Sequence, residues 1–285
     1  MKKCPACGEV PDDSWSCACG WRVSMLDGFP AFSPDLAREN GGFQPGYFAE
    51  LSALEEANFW FRARNALILG MLETHFPHAE NFLEIGCGTG YVLSGIRQAN
   101  PDLKLRGSEI FSAGLEFASN RAPGADLMQM DAREMPFFEE FDVIGAFDVL
   151  EHIMEDEAVL SQMHESVKPG GGILVTVPQH PFLWSEQDVA ACHVRRYTRQ
   201  ELADKMIRAG FRVERATSFV SLLFPLMMAS RLFAKQKPTD PMSELRLGRT
   251  TNRIFEVVMN LELKLISSGL PMPFGGSLLM VGRKT

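Results

Sequence analysis

Short apolar runs alternate with longer amphipathic segments along most of this chain. Five such runs, most of them rich in apolar residues, have the length of strands. They are residues 81–85, 104–110, 126–130, 141–148 and 172–177. Apolar positions with a helical period follow the first run at residues 91–98 and the fourth at residues 156–167. Strands that alternate with helices in this way predict an α/β fold.

The C-terminal part predicts two more strands, at residues 211–217 and 277–283. A helix before them begins after Thr198, because Thr198 and Glu201 form a capping-box pattern, and it ends at Gly210. About sixty residues separate the two strands, far more than a hairpin needs. We therefore expect an insertion at about residues 218–275, before the last strand.

The insertion combines an apolar segment with basic residues. Residues 219–230 carry no charge and are too few to span a bilayer. Residues 212–253 hold eight Arg/Lys and three Asp/Glu. Such a segment can form a lid over a hydrophobic substrate, a homodimer face or a peripheral membrane contact through residues 219–233. A polar pocket that needs no lid is the alternative.

Residues 34–80 predict a helical cap. Pro34 and the glycine-rich loop at residues 40–46 come first, and residues 47–74 then show a helical apolar period. Trp60 lies within an aromatic cluster that is flanked by Arg62 and Arg64. An aromatic stripe normally packs in the core, whereas arginines beside it need solvent or an anionic partner.

The segment Leu-Glu-Ile-Gly-Cys-Gly-Thr-Gly at residues 83–90 joins the first strand to its helix. Its glycines, Gly86, Gly88 and Gly90, allow a sharp turn, positive φ and close approach of a ligand. A dinucleotide-binding turn has the spacing Gly-x-Gly-x-x-Gly, but here the third glycine comes one residue early. Glu84 would repel a pyrophosphate and attract an ammonium group.

Together with the acids that end the next strands, this turn resembles motif I of the class I S-adenosylmethionine (SAM) methyltransferases. The resemblance covers about 200 residues and implies a Rossmann-like seven-stranded methyltransferase sheet whose last strand is antiparallel, with SAM as cofactor. It implies that Glu109 binds the ribose hydroxyls, that Asp131 and a neighbouring amide bind adenine, and that Arg62 or Arg64 meets the methionine carboxylate. The residues it assigns to the cofactor are Trp60, Arg64, Glu84, Gly86, Gly88, Gly90, Glu109, Ile110, Asp131, Ala132, Asp148 and Leu150.

Methyl transfer to a hydroxyl needs a base, and histidine is the usual one near neutral pH. We rank His193 first, then His152 and His180, because each follows a predicted strand or lies in a segment that recurs in related methyltransferases. A carboxylate acceptor would need no base. Arg195 and Arg196 would either hold an anionic group of the substrate or pair with local acids.

Four cysteines lie within sixteen residues at the start of the chain: Cys4, Cys7, Cys17 and Cys19. Their spacing is typical of a tetrahedral zinc site, and a segment this short needs a metal to fold. We therefore predict an N-terminal zinc ribbon at residues 1–33, with structural zinc. A redox-active or disordered cysteine tail is the alternative. The other two cysteines, Cys87 and Cys192, are expected to pack.

The net charge of −8 argues against a nucleic-acid partner. The chain opens with Met-Lys-Lys and no apolar run, which predicts a cytoplasmic protein, with contact to the inner membrane face left open. We expect a methyltransferase domain at residues 81–285 that methylates an oxygen of a small-molecule, natural-product, glycan-like or lipid-like acceptor. The alternatives are a protein or RNA methyltransferase docked through the zinc ribbon, and a non-catalytic binding scaffold.

Overall fold

One mixed sheet of nine strands organises the computed structural model, which describes residues 1–38, 46–233 and 245–285, without the side chains of 231–233. The strands are β1 (Ser24–Leu26), β2 (Phe29–Ala31), β3 (Asn81–Ile85), β4 (Lys104–Glu109), β5 (Asp126–Gln129), β6 (Phe141–Phe147), β7 (Val167–Pro178), β8 (Phe211–Phe219) and β9 (Ser277–Lys284). They are ordered β1-β2-β5-β4-β3-β6-β7-β9-β8.

The seven strands predicted from the sequence are all present. Strands β3 to β7 run parallel to one another, and β9 is antiparallel to both β7 and β8. Strand β7 begins five residues earlier than predicted. Its register on β6 jumps from the pair Phe141–Val167 to the pair Val143–Gly172, so the turn at residues 168–171 loops out within the strand.

Strands β1 and β2 extend the sheet beyond the seven expected. They form a hairpin whose two-residue loop, Asp27–Gly28, has φ values of 51° and 89°, as a type I′ turn requires. Strand β2 then runs parallel to β5, with Ala31 opposite Gln129. The N-terminal segment is therefore part of the central sheet as well as a cysteine-bearing module.

Helices cover both faces of the sheet. They are α1 (Tyr47–Glu55), α2 (Phe59–His75), α3 (Tyr91–Ala99), α4 (Ser112–Arg121), α5 (Asp156–Ser166), α6 (Glu186–Ala190), α7 (Arg199–Arg208), α8 (Phe224–Phe233) and α9 (Arg249–Ser267). One core layer contains Ile68 of α2 and Leu93 of α3, and the other contains Leu160 of α5 and Met206 of α7. The predicted cap corresponds to α1 and α2. Most of its predicted loop, residues 40–46, lies outside the described residues.

The predicted insertion contains α8 and α9. Helix α9 packs along α2, where the rings of Phe59 and Phe255 are 5.2 Å apart and the amide of Phe59 donates to Asn252 at 2.8 Å. Arg62 pairs with Glu256 of α9 at 2.8 Å, so it joins the two helices. Among the described helices, none has the length and apolar character that crossing a membrane requires.

Candidate cofactor and acceptor site

The glycine turn after β3 has the backbone that the sequence predicted. Gly86, Gly88 and Gly90 have φ values of 64°, 50° and 76°. A Cβ on Gly90 would lie 2.7 Å from the Cα of Ala118, because α4 packs directly against the turn. A Cβ on Gly88 would meet nothing closer than 3.8 Å. Gly90 is therefore required for packing, whereas Gly88 leaves open space.

Glu109 ends β4 beside this turn. Its carboxylate accepts hydrogen bonds from the amides of Gly88 at 3.0 Å and Ile110 at 2.9 Å, and also from Phe111. Burial raises the pKa of Glu109 in spite of these hydrogen bonds. Each carboxylate oxygen has two lone pairs, so the side chain can still accept from a ligand. It lies where the resemblance expects a ribose.

Asp131, after β5, is already engaged. Arg133 donates to both of its oxygens through Nε at 3.0 Å and through Nη2 at 2.7 Å. Ala132 beside it is buried. The amide of Asp131 lies 3.4 Å from the hydroxyl of Ser33, so the N-terminal segment contacts this loop. An adenine amine would share Asp131 with Arg133.

A buried carboxyl group lies below the turn. Glu84 is 2% exposed, and its Oε2 has no hydrogen-bond partner within the described part of the chain. Burial raises the pKa of Glu84 well above its ordinary value, while the nearby charge of Arg64 opposes this rise. An unsatisfied buried oxygen is costly, so Glu84 is suited to a cationic or donor group of a ligand.

Arg64 and Asp148 form an ion pair beside Glu84. The Arg64 guanidinium also lies 4.6 Å from the centre of the Trp60 ring, a cation–π contact. Asp148 has a φ of 57°, the left-handed conformation, at the point where β6 ends. Leu150, two residues later, is fully buried and contributes its carbonyl to the Tyr197 hydroxyl at 3.2 Å. The structure thus brings Trp60, Arg64, Glu84 and Asp148 together.

Helix α1 holds the glycine turn through a contact that the sequence did not predict. Glu55 accepts from the hydroxyl of Thr89 at 2.6 Å and pairs with Arg121 of α4. Arg121 also donates to Thr89 at 2.8 Å. Phe48 of α1 lies beside Gly88. Nothing local to Glu55 signals this role, because its partners are 34 and 66 residues away.

His193 and His152, the first two candidates for a base, are neighbours. Their ring centres are 4.9 Å apart. His193 Nδ1 lies 3.0 Å from Asp188, which also accepts from Arg196 Nε at 2.7 Å. Although burial opposes it, the hydrogen bonds from His193 and Arg196 lower the pKa of Asp188 to about 2. A charged Asp188 holds the proton of His193 on Nδ1, so Nε2 is the ring nitrogen directed away from Asp188.

His152 and the adjacent Glu151 are less hydrated. Burial, and then the nearby His193, lower the pKa of His152 to about 4. Burial, and then repulsion by Asp148, raise the pKa of Glu151 well above its ordinary value. His152 is thus neutral at pH 7. The sequence did not single out Asp188 or Glu151 as site residues, although Ser185 and Asp188 form a capping box that marks the start of α6.

Of the remaining candidates, His180 has a separate set of contacts, and the two arginines pair with acids. His180 packs among the rings of Phe182, Phe224 and Phe274, at 5.0, 5.5 and 6.0 Å, below α8 of the insertion. Burial lowers the pKa of His180. Arg195 pairs with Asp156 at 2.9 Å, and Arg196 pairs with Asp188. Both arginines therefore pair with local acids, one of the two roles expected for them.

The four N-terminal cysteines come together. All four sulfur atoms lie within 4.8 Å of one another, with 3.8 Å between Cys4 and Cys19 and 3.6 Å between Cys7 and Cys17. Four thiolates around one zinc ion at ~2.3 Å would be about 3.8 Å apart. The cluster therefore has the dimensions of a tetrahedral metal site. Cys87 lies within the glycine turn, where it is buried, and is not part of this cluster.

Comparison with known proteins places the site in a family. The family model described as "Methyltransferase domain" matches residues 54–216, which include the glycine turn and all three candidate histidines. A probable S-adenosylmethionine-dependent methyltransferase of Mycolicibacterium smegmatis is 29% identical over 167 residues, 58% of this chain and 63% of that protein. The 27-O-demethylrifamycin SV methyltransferase of Amycolatopsis mediterranei is 33% identical over 154 residues, 50% and 54% of the two chains.

Solved structures agree on the fold. A SAM-dependent methyltransferase of Thermotoga maritima, described as a possible histamine N-methyltransferase, superposes with a TM-score of 0.55 at 17% identity, covering 85% of this chain and 97% of that one. A complex of the Haloferax volcanii Trm112 methyltransferase activator with a putative methyltransferase gives 0.53 at 18% identity, covering 84% and 94%. At these identities the likeness concerns architecture.

Proposed function

Because this chain belongs to the methyltransferase domain family, we propose that it transfers a methyl group from SAM to an oxygen of a small acceptor. The acceptor would be a natural product or a lipid-like or glycan-like metabolite. The observation that carries the proposal is that the Asp188–His193 pair lies against His152, just after the end of β6. The pair is thus at the same end of the sheet as the glycine turn and the strand-end acids Glu109 and Asp131.

The described residues fit SAM. The unpartnered Oε2 of Glu84 suits the cofactor's ammonium group, and Arg64 keeps further N–H groups for its carboxylate. Glu109 would accept from the ribose hydroxyls, and Gly88 leaves room for the ligand beside it. Asp131 would accept a hydrogen bond from the adenine amine. Arg133, whose side chain is 37% exposed, would move and release one of the two Asp131 oxygens for this contact. Bound SAM supplies an electrophilic methyl group.

His193 would act on the acceptor. Its Nε2 would accept the hydroxyl proton while Asp188 stabilises the imidazolium that results, as an oriented histidine base requires. His152, neutral beside it, would accept or donate a hydrogen bond to the acceptor. His180 would instead contact an apolar part of the acceptor, since aromatic rings surround it below α8.

Two features support an apolar acceptor. Relatives include the rifamycin enzyme above and a Mycobacterium ulcerans protein named as a phthiotriol/phenolphthiotriol dimycocerosates methyltransferase, 26% identical over 131 residues, 44% of this chain and 48% of that protein. Helix α9 exposes Ile254, Val257 and Leu261 on one face. The insertion would thus act as a lid, and its apolar face would contact a membrane surface or a second copy.

We also propose that the four-cysteine cluster binds one structural zinc ion. The cluster's sulfur spacing supports this. The metal would hold residues 1–33 as a ribbon, which strand β2 attaches to the sheet at Gln129. Thiolates in a tetrahedral set of four leave no open position for a substrate, so the zinc would stabilise the fold without acting in the reaction.

The test is calorimetric titration of the zinc-replete protein with SAM and with S-adenosylhomocysteine, with Glu109→Ala as the binding-deficient variant. We expect micromolar binding that the variant loses. Methyl transfer from labelled SAM to a panel of hydroxylated lipids and polyketides would follow, with His193→Gln as control. Absence of binding to either cofactor form would refute the proposed activity, and transfer unaffected by His193→Gln would refute the assigned base.

A further inference from the structure

We propose that Glu151, His152 and His193 form a binding site for one divalent transition-metal ion. The proposal rests on the function proposed above and deepens it, because the ion would lie where we place the acceptor. It concerns residues separate from the four-cysteine cluster.

The three side chains converge on one point. A ligand atom from each lies within 4.8 Å of the other two. Donor atoms bound to one such ion at ~2.0–2.2 Å lie about 3–4 Å apart, so small side-chain rotations bring them into coordination distance. The backbone holds the two contributing segments together, since the amide of Val194 donates to the carbonyl of Glu151 at 2.7 Å.

Two buried ligand atoms have no other partner. Glu151 is 1% exposed, and neither its Oε2 nor Nδ1 of His152 is hydrogen-bonded to any residue that the structure describes. Each unsatisfied buried polar atom costs about 1–3 kcal/mol. A cation between them would satisfy both atoms at once. A purely structural role for this pair would leave both costs uncompensated.

The third ligand is already oriented. Asp188 holds His193 by Nδ1 at 3.0 Å, so Nε2 is the nitrogen directed away from Asp188. A carboxylate that fixes the distal nitrogen of a metal-bound histidine is a recurring arrangement around protein metal sites. Arg64 and Arg196 are the nearby positive charges, and each is neutralised by its own carboxylate, Asp148 and Asp188.

The donor set indicates the class of ion. Two imidazoles and one carboxylate suit Mn²⁺, Fe²⁺, Co²⁺ or Zn²⁺ better than Ca²⁺ or Mg²⁺, which prefer oxygen ligands. Three protein ligands leave positions open for water or an acceptor oxygen. In the metal-loaded enzyme His193 Nε2 would bind the ion and would not accept the proton. The ion would instead activate the acceptor by lowering the pKa of the bound hydroxyl. The hydroxyl proton leaves to solvent, and the acceptor oxygen forms a bond to the methyl group of SAM. The SAM sulfur keeps the electron pair of the broken S–CH₃ bond.

The test starts from protein that holds one zinc ion per chain by metal analysis, which the cysteine cluster accounts for, titrates it with MnCl₂ and follows free Mn²⁺ by its electron paramagnetic resonance signal. Manganese competes poorly for thiolates, so the cysteine cluster keeps its zinc. We expect the wild type to sequester one Mn²⁺ per chain. His193→Gln and His152→Gln should each weaken this binding at least about tenfold, as loss of a ligand requires.

His164→Gln is the matched control. His164 is on α5, packs against Phe211 of β8 and lies outside the cluster. It should leave Mn²⁺ binding unchanged. Calorimetry with SAM on the same samples reports folding and the cofactor site independently. Normal SAM binding without Mn²⁺ sequestration, or Mn²⁺ binding that both histidine variants retain, would overturn the metal site and leave the proposed methyltransferase intact. Loss of SAM binding in the wild type would instead count against the proposed function.

Discussion

Gly90 and Gly88 are two residues apart in the same turn, yet the structure assigns them different tasks. Gly90→Ala would place a methyl group 2.7 Å from the Cα of Ala118 and 3.0 Å from its Cβ, at a φ of 76°. The left-handed conformation alone costs an alanine ~1–2 kcal/mol. Overpacking against a helix backbone adds ~1–3 kcal/mol. We expect Gly90→Ala to lower the free energy of unfolding by about 2–5 kcal/mol.

Gly124→Ala separates the two costs. Gly124 has a φ of 80°, and a Cβ there meets no heavy atom within 4 Å. Gly124→Ala should therefore lower the free energy of unfolding by only ~1–2 kcal/mol, the cost of the left-handed conformation. Gly88→Ala should behave like Gly124→Ala in stability, because its nearest neighbour would be a ring carbon of Phe48 at 3.8 Å. Its effect should appear instead in SAM affinity, which we expect to fall roughly tenfold, ~1.4 kcal/mol.

Equilibrium urea unfolding measures the first quantity, and calorimetry with SAM measures the second. The midpoint should shift without a change in slope if only stability has changed. Equal stability losses in Gly90→Ala and Gly124→Ala would refute the argument from close packing against α4. A Gly88→Ala variant that binds SAM like the wild type would refute the position of the cofactor beside Gly88.

Four other outcomes are expected. Arg64→Met should lower the free energy of unfolding, measured by chemical denaturation, by about 3 kcal/mol, because it leaves Asp148 unpaired. Adding Asp148→Asn should recover part of this loss. Asp188→Asn should lower kcat about 10²-fold and leave SAM affinity within about twofold, because Asp188 contacts His193, Arg196 and Ser185, none of which is assigned to SAM; an unchanged kcat would argue against the base. Cys4→Ser should abolish bound zinc by metal analysis and lower the melting temperature of the whole chain, because β2 pairs with β5; an unchanged melting temperature would show that the ribbon does not stabilise the sheet. Burial raises the pKa of Glu262 in the folded state above that in the unfolded chain. The stability that this group contributes is therefore fully present below pH ~4.3, the unfolded pKa, and is lost as pH rises through the folded-state pKa. Subtracting the stability of Glu262→Gln from that of the wild type at each pH should give this decline, and a flat difference would contradict it.

The sequence predicted what local patterns control. Most of the seven expected strands are short runs rich in apolar residues and bounded by turn residues. The acids Glu109 and Asp131 lie at strand ends, so their positions at one edge of the sheet follow from topology. The glycine turn was predictable because its backbone conformation restricts which residues can occupy it.

The remaining features depend on contacts between distant residues. Strands β1 and β2 are three residues each, too short for a period to be recognised, and β2 finds its partner 98 residues later, at Gln129. The hydrogen bond from Thr89 to Glu55 also joins two separate segments, the glycine turn and α1. Asp188 could have been suspected from its capping box, but its contact with His193 depends on the turn that follows α6.

The pairing of β2 with β5 has a consequence for the order in which the chain folds. The four cysteines lie within sixteen residues, so they can bind a metal as soon as that segment leaves the ribosome. The edge of β5 that receives β2 is synthesised about a hundred residues later. The ribbon would then be folded before the sheet, and β2 would cover the edge of β5 as soon as that strand forms. An uncovered edge strand can pair with another chain, so loss of the metal should expose newly made copies to aggregation before it affects any mature enzyme.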